Sequence, residues 1–328
     1  KNFYLHIYIL REILKSFTAP DIQKLAVLKS YNLNFNINLQ HKPKLMQPEE
    51  TPIELIAQID DEFADESALY PLRLRRGLMK SKYPVLLASS KHSSKLNFVL
   101  KVFPKKDKNP NSHYTRESRF MNLKKHKHII TPIKKLRLGK LKLTPTSDPV
   151  EASGLLMPYA EKGDFFSMII QRIRPFTEML SRSYFVQMLQ GLSHLHDNGI
   201  AHCDLKLENL VLDGNYLVKI IDFDTAKTKE DKTYRPQGTP SYRAPEILIK
   251  KHVADYTKCD VYSLGIILFI MVCRSLPWKE NDPQGEKLRT LFIEDKEAFW
   301  KKHAEIQGRD ANNLWSRHFM DLFEGMCA

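Results

Sequence analysis

Cysteine is scarce in this chain, and long apolar runs are missing. The four cysteines stand at 203, 259, 273 and 327, and no pair has metal-ligand or redox spacing. That argues against a disulfide framework and predicts reduced thiols in an intracellular, cytoplasmic protein. No apolar stretch approaches the roughly 20 residues needed to cross a bilayer. The nearest, Phe3 to Leu14, is interrupted by Arg11 and Glu12 and lacks a small-residue cleavage site. It reads as a helix that packs on something and not as a targeting signal. The sequence begins at Lys1 and not at Met, which leaves an earlier signal open. No zinc-finger or RNA-binding signature is present, so nucleic acid is not an expected partner.

What is there is a polar, basic chain of 328 residues, 42% hydrophobic and 27% charged, enough for one large domain or two medium ones. The formal net charge of +13 is concentrated. Between Lys95 and Lys142 there are 15 Lys or Arg against Asp107 and Glu117. The plain reading is a solvated basic face on a small lobe; the sharper one is a docking face for an acidic partner protein.

The chain divides into three. Residues 1–66 predict helices over Phe3–Phe17 and Asp21–Tyr31, an Asn- and Lys-rich linker over 32–48, and a third helix capped by Thr51 with Pro52 in its first turn. This extension reads as a brace on the following domain or as a docking element for a partner. Residues 67–160 predict strands at Val85–Ala88, Asn97–Phe103 and Gly154–Tyr159, a helix over 113–125, and an enlarged basic hairpin from Lys134 to Pro149. Residues 161–328 predict a helical lobe, with periodic helices at Glu178–His196 and Phe319–Met326 around an almost wholly apolar Val261–Cys273.

The informative stretch is Ala201-His202-Cys203-Asp204-Leu205-Lys206-Leu207-Glu208-Asn209-Leu210. Twelve residues after Asn209 comes Ile221-Asp222-Phe223-Asp224. Upstream stand Lys101, at the end of Phe98-Val99-Leu100-Lys101, then Glu117, and then His126-Lys127-His128-Ile129-Ile130. Downstream comes Gly238-Thr239-Pro240-Ser241-Tyr242-Arg243-Ala244-Pro245-Glu246, followed by Asp260. Any one of these residues alone would be ordinary surface, turn or core. In this order, over about residues 72–328, they resemble a eukaryotic-type serine/threonine protein kinase.

The resemblance implies an α+β, two-lobed kinase fold, a β-rich lobe before residue 160 and a helical lobe after it. It implies transfer of the ATP γ-phosphoryl group to serine or threonine of a protein substrate. Asp204 would orient the hydroxyl and accept its proton, and Lys206, the serine/threonine-type residue, would stabilise the transferring group. Lys101 would hold the inner phosphates with Glu117 as its ion-pair partner. Asn209 and Asp222 would hold Mg2+. Thr239 would support Asp204 and Lys206. Val85, Val99 and Val211 would sandwich the adenine, Met157 would guard the back of its pocket, Tyr159 and Ala160 would supply hinge contacts, and Asp164 could reach the ribose. Asp260 would anchor the loop at 201–210. Glu208 with Asp164 suggests substrates carrying basic residues before the target hydroxyl, against a plainer reading in which both only bind nucleotide or brace the loop. Glu297–His303 and Phe319–Phe323 bear a weaker likeness to calcium/calmodulin-type and related kinases of protists.

The pattern breaks in four places. Where a glycine-rich phosphate loop is expected, residues 76–85 keep only Gly77, so weakened ATP binding or a displaced loop is expected. Cys203 replaces an arginine that would grip activation-segment phosphate, which predicts control by assembly or by the N-terminal extension and not by phosphorylation at Thr228, Thr233 or Tyr234. Asp224 replaces a flexible glycine and is expected to restrict its turn or to add charge near the metal. Glu246 lacks its usual arginine before Ala328, as in a fragment or a lobe without that brace. The alternative function is a pseudokinase scaffold with weak or no ATP turnover.

Overall fold

The computed structural model describes residues 72–75, 83–90, 97–104, 113–141, 150–170, 176–228, 231, 238–249, 255–279, 282–310 and 315–328. The helices and linker expected within residues 1–66, the glycine-poor stretch 76–82 and the hydroxyls of Thr233 and Tyr234 lie outside the described residues.

The first lobe is a five-stranded antiparallel sheet of β1 (Leu72–Arg75), β2 (Val85–Ser90), β3 (Asn97–Pro104), β4 (Lys134–Leu141) and β5 (Val150–Pro158), in the order β1-β2-β3-β5-β4. The period-two alternation of β3 sorts its two faces. Phe98, Leu100 and Val102 join Leu86, Ala88, Leu136, Leu138, Ala152 and Leu156 in one buried cluster. The register Val85↔Lys101 and Val99↔Met157 puts those four residues on the opposite face. β5 starts earlier than the expected Gly154, because its first half is consumed in pairing with β4 as far as Leu141↔Val150.

Between β3 and β4 lies a helix shorter than the sequence predicts. α1 spans only His113–Ser118, and Arg119–Asn122 tighten into a 3-10 turn. The change comes where Phe120 turns inward against Phe223, with ring centroids 5.3 Å apart. This tertiary contact outweighs the modest local helix propensity.

The second lobe is helical: α2 (Phe165–Ile170), α3 (Glu178–Asp197), α4 (Pro245–Ile249), α5 (Tyr256–Cys273), α6 (Pro283–Glu294), α7 (Lys296–Ile306) and α8 (Arg317–Cys327). Side-chain caps set several starts. Thr177 accepts from the Leu180 N–H, Asp255 from Thr257, Asp295 from Ala298 and Ser316 from Phe319. α5 is the central helix that its apolar run predicts. It is the one helix among the described residues long and apolar enough to cross a membrane, and 78% of that span is buried inside the fold. Around it the aromatic side chains interlock, with Phe269 centred 4.9 Å from Phe323 and 5.8 Å from Trp300. Short pairs β6 (Ile200–Ala201) with β9 (Lys227–Thr228), and β7 (Leu210–Leu212) with β8 (Val218–Ile220), hold the loops that carry the site.

Candidate active site

The loop at 201–210 is suspended from the core by one carboxylate. Asp260, fully buried on α5, accepts from the backbone N–H groups of His202 and Cys203, each at 2.8 Å, and from His196 Nε2 at 2.9 Å. Cys203 is thereby held at φ +63°, a left-handed conformation that costs a non-glycine residue about 1–3 kcal/mol. Its thiol is buried. Burial, with Asp260 adding to it and Lys227 opposing, pushes its pKa well up, which makes it a poor nucleophile.

Asp204 is then fixed by donors from two segments. Oδ1 accepts from the Thr239 N–H at 2.8 Å and hydroxyl at 2.9 Å; Oδ2 accepts from Lys206 Nζ at 2.8 Å. The Thr239 hydroxyl accepts in turn from Lys206 at 3.0 Å, closing a triangle of the three residues. Gly238 makes this approach possible. Its φ is +93°, and a Cβ there would lie 2.8 Å from the Cys203 carbonyl oxygen. Asn209 donates to the Asp204 carbonyl at 2.8 Å.

The β7–β8 pairing Leu210↔Ile220 brings the second acidic element beside the first. The Ile221 N–H donates to the Asn209 carbonyl at 3.0 Å, so Asn209 and Asp222 meet at one end of that hairpin. His202 Nε2 reaches the Ile221 carbonyl at 2.9 Å and its ring packs on Phe223. Asp222, also left-handed at φ +67°, reaches across to the first lobe, where its Oδ1 accepts from Lys101 Nζ at 2.8 Å.

Lys101 is buried and bonds Glu117 at 2.6 Å as well. Burial alone would lower the Lys101 pKa, but Glu117 and Asp222 outweigh it and raise it. Asp222 shows the complement: burial works to raise its pKa, and Lys101 holds it below the ordinary carboxylate value. Burial pushes the Glu117 carboxyl up to about 7, against the pull of Lys101 and with Asp222 and Asp224 adding to the rise. A buried cation between two carboxylates is stable only as a set.

Of the apolar positions expected around an adenine, Val85, Val99 and Met157 share one face of the first sheet, and Val211 stands in β7. Val85, Val99, Met157, Tyr159, Ala160 and Val211 are each neither core nor fully exposed, and Val99 faces Met157 across β3 and β5. Asp164 bridges Val211. Its carboxylate is engaged at the start of α2, accepting from the Ser167 N–H at 2.7 Å and hydroxyl at 2.9 Å. Glu208 differs, having a buried Oε2 with no hydrogen-bond partner. Glu246 accepts from the Cys259 thiol at 3.3 Å.

Asp224 adds negative charge beside Glu117, and its segment is tied to α1. Its carboxylate is taken up by His113 and Arg116 of α1. These two residues, with Arg119 and Asp231, were not legible as site residues. His113, Arg116 and Arg119 recur at a helical spacing of three, but only the packing of α1 on the segment after Asp222 shows what that face meets.

The family described as protein kinase domain matches residues 83–328. The chain belongs to this family, as a divergent member of the eukaryotic serine/threonine type. It is 34% identical over 144 residues to the Fatty acyl-CoA synthetase and RNA processing-associated kinase 1 of Saccharomyces cerevisiae, covering 42% of this chain and 16% of that one. Against the CBL-interacting protein kinase 26 of Oryza sativa subsp. japonica it is 33% identical over 172 residues, covering 51% and 32%. Against the yeast serine/threonine-protein kinase GIN4 it is 36% identical over 163 residues, covering 49% and 14%. The chain thus spans no more than 32% of the length of these relatives.

Proposed function

We propose that the chain transfers the γ-phosphoryl group of ATP to serine or threonine of a protein. The observation that carries this is the triangle of Asp204, Lys206 and Thr239, facing a Lys101 held between Glu117 and Asp222. Asp204, oriented by Thr239, is the group to align the substrate hydroxyl and accept its proton. Lys206 supplies positive charge where the transferring group becomes most negative. Lys101 is the cation for the inner phosphates. The face of Val85, Val99 and Met157, with Val211 and backbone groups of Tyr159 and Ala160, would take a planar purine.

The donor set also fits Mg2+. Among the described residues no group of three or more His, Cys, Asp or Glu can hold a metal by itself. Asn209 and Asp222 instead offer hard oxygens from adjacent positions, which suits an ion that takes few protein ligands and completes its shell with phosphate and water. When bound, it would bridge the phosphates and offset their charge.

Half-buried Glu208 is the carboxylate that would receive a basic side chain before the target hydroxyl, through an oxygen other than its solvent-shielded Oε2. Asp164, tied up by Ser167, contributes less to that preference than the sequence suggests. An acidic protein partner for the basic 95–142 face, docking through residues 1–66, and an intracellular site of action complete this reading.

The test is phosphate transfer from ATP to a basic-directed peptide library. Transfer by the native chain and a loss of about 10²–10⁴-fold in Asp204→Asn establish the enzyme. The second reading, a scaffold without turnover, is favoured by the single glycine in residues 76–85. Absence of transfer, with peptide binding intact and indifferent to Asp204→Asn, selects it.

A further inference from the structure

The helix that carries Glu117 is tied to the segment after Asp222 by two permanent carboxylates. Asp224 contacts His113 Nδ1 and accepts from Arg116 Nη2 at 3.3 Å, while Arg116 Nε donates to the Asp224 carbonyl at 3.1 Å. Three residues on, Arg119 donates to both carboxylate oxygens of Asp231, at 3.2 and 2.8 Å, and to the Ala226 carbonyl at 2.6 Å. Asp231 is itself fixed, accepting from the Thr228 N–H at 2.8 Å.

Isolated surface ion pairs contribute little. The Arg116–Asp224 pair is partly buried, the Arg119–Asp231 pair is exposed but two-pronged, both are reinforced by backbone carbonyls, and together they complete a circuit. Asp222 bonds Lys101, Lys101 bonds Glu117, and Glu117 stands in the helix between Arg116 and Arg119, both of which return to the chain just after Asp222. Fork-to-fork pairing of a guanidinium with an anion is also the geometry by which a phosphate orders a loop. Here Asp231 supplies that anion from the sequence, and Cys203 offers no cation to hold another.

We infer that Asp224 and Asp231 are positioning residues that lock the helix at 113–118 in place, so that the Lys101–Glu117 pair is assembled without phosphate on the following segment. This rests on the kinase reading for its effect on rate, but not for its effect on structure. Phosphate added at Thr228 would meet the Asp231 carboxylate, because the Thr228 hydroxyl lies 3.3 Å from it.

The experiment compares the full chain, treated with phosphatase, with Asp224→Asn, Asp231→Asn, the conservative Asp231→Glu, and the charge swap Arg119→Asp with Asp231→Arg. Hydrogen exchange over residues 113–122 is read beside kcat and KM for ATP, with thermal melting to confirm folding. The expected result is faster exchange in both Asn variants and kcat lower by about 10²-fold, with recovery of both in Asp231→Glu and in the swap. Unchanged exchange in both Asn variants overturns the lock, as does a native chain whose kcat rises tenfold or more when Thr228 is phosphorylated. If the native chain transfers no phosphate at all, the kinase reading fails, and the exchange data still decide whether the lock exists.

Discussion

At the scale of single residues, the site depends on a few side chains that each answer to several partners. Thr239 is the clearest. Its hydroxyl and amide meet one oxygen of Asp204, and the hydroxyl also receives Lys206. Thr239→Val keeps the volume and the amide bond but removes the hydroxyl that holds Asp204 and Lys206 from a third side, leaving their direct 2.8 Å bond in place. The expected outcome is a kcat lower by about 10²-fold with little change in KM for ATP, since none of the residues expected around the adenine is touched. Steady-state kinetics at saturating peptide checks this, and an equal change in both constants would point to a collapsed cleft instead. Asp204, Lys206 and Asn209 were legible as a group because the chain itself places them within six residues. Arg116, Arg119 and Asp231 were not, because their partners lie more than 100 residues away in sequence.

At the scale of elements, the second lobe is organised by how closely α8 can approach α5. A Cβ at Gly265 would lie 2.8 Å from Cys327 Sγ and 3.0 Å from Met326 Cβ. Gly265→Ala therefore forces the two helices apart at a crossing where both are buried. The expected cost is about 1–3 kcal/mol, seen as a melting temperature lower by about 2–4 °C for each kcal/mol. The apolar run at 261–273 marked α5 in the sequence as a buried helix. Which of its residues had to be glycine was hidden, because that depends on the helix packed against it.

At the scale of the whole molecule, two histidines couple stability to pH. His128 and His303 are 1% and 2% exposed. Burial, only partly offset by hydrogen bonds to the Val218 and Pro277 carbonyls, lowers both pKa values below the ordinary 6.5. The unfolded chain takes up protons at these positions as the pH falls through about 6.5, while the folded chain does not until lower pH. The unfolded state therefore binds more protons in that window, and stability falls as the pH falls. Glu117, whose carboxyl is pushed up to about 7, works the other way in this window, so the histidine part is read as a difference between chains in denaturant unfolding at pH 7.5 and 5.5. His303→Gln, which keeps a donor for Pro277, should lose less stability on acidification than the native chain. An unchanged slope would exclude His303 as a contributor.

The two-lobed kinase class and the residues of the loop at 201–210 were readable from the chain alone, because loop chemistry and apolar periodicity act over short spans. The period-two alternation over Asn97–Phe103 likewise sets Lys101 opposite the face of Leu100. Tertiary structure decided the rest. The short helix at 113–118 ends where Phe120 finds Phe223. The carboxylate of Asp224 belongs to that helix, because Arg116 and His113 neutralise it there. Lys101 is a buried, paired cation because β3, α1 and the Asp222 turn converge on it. A charge can leave water only where folding brings its partners, and no local pattern in the chain records that meeting.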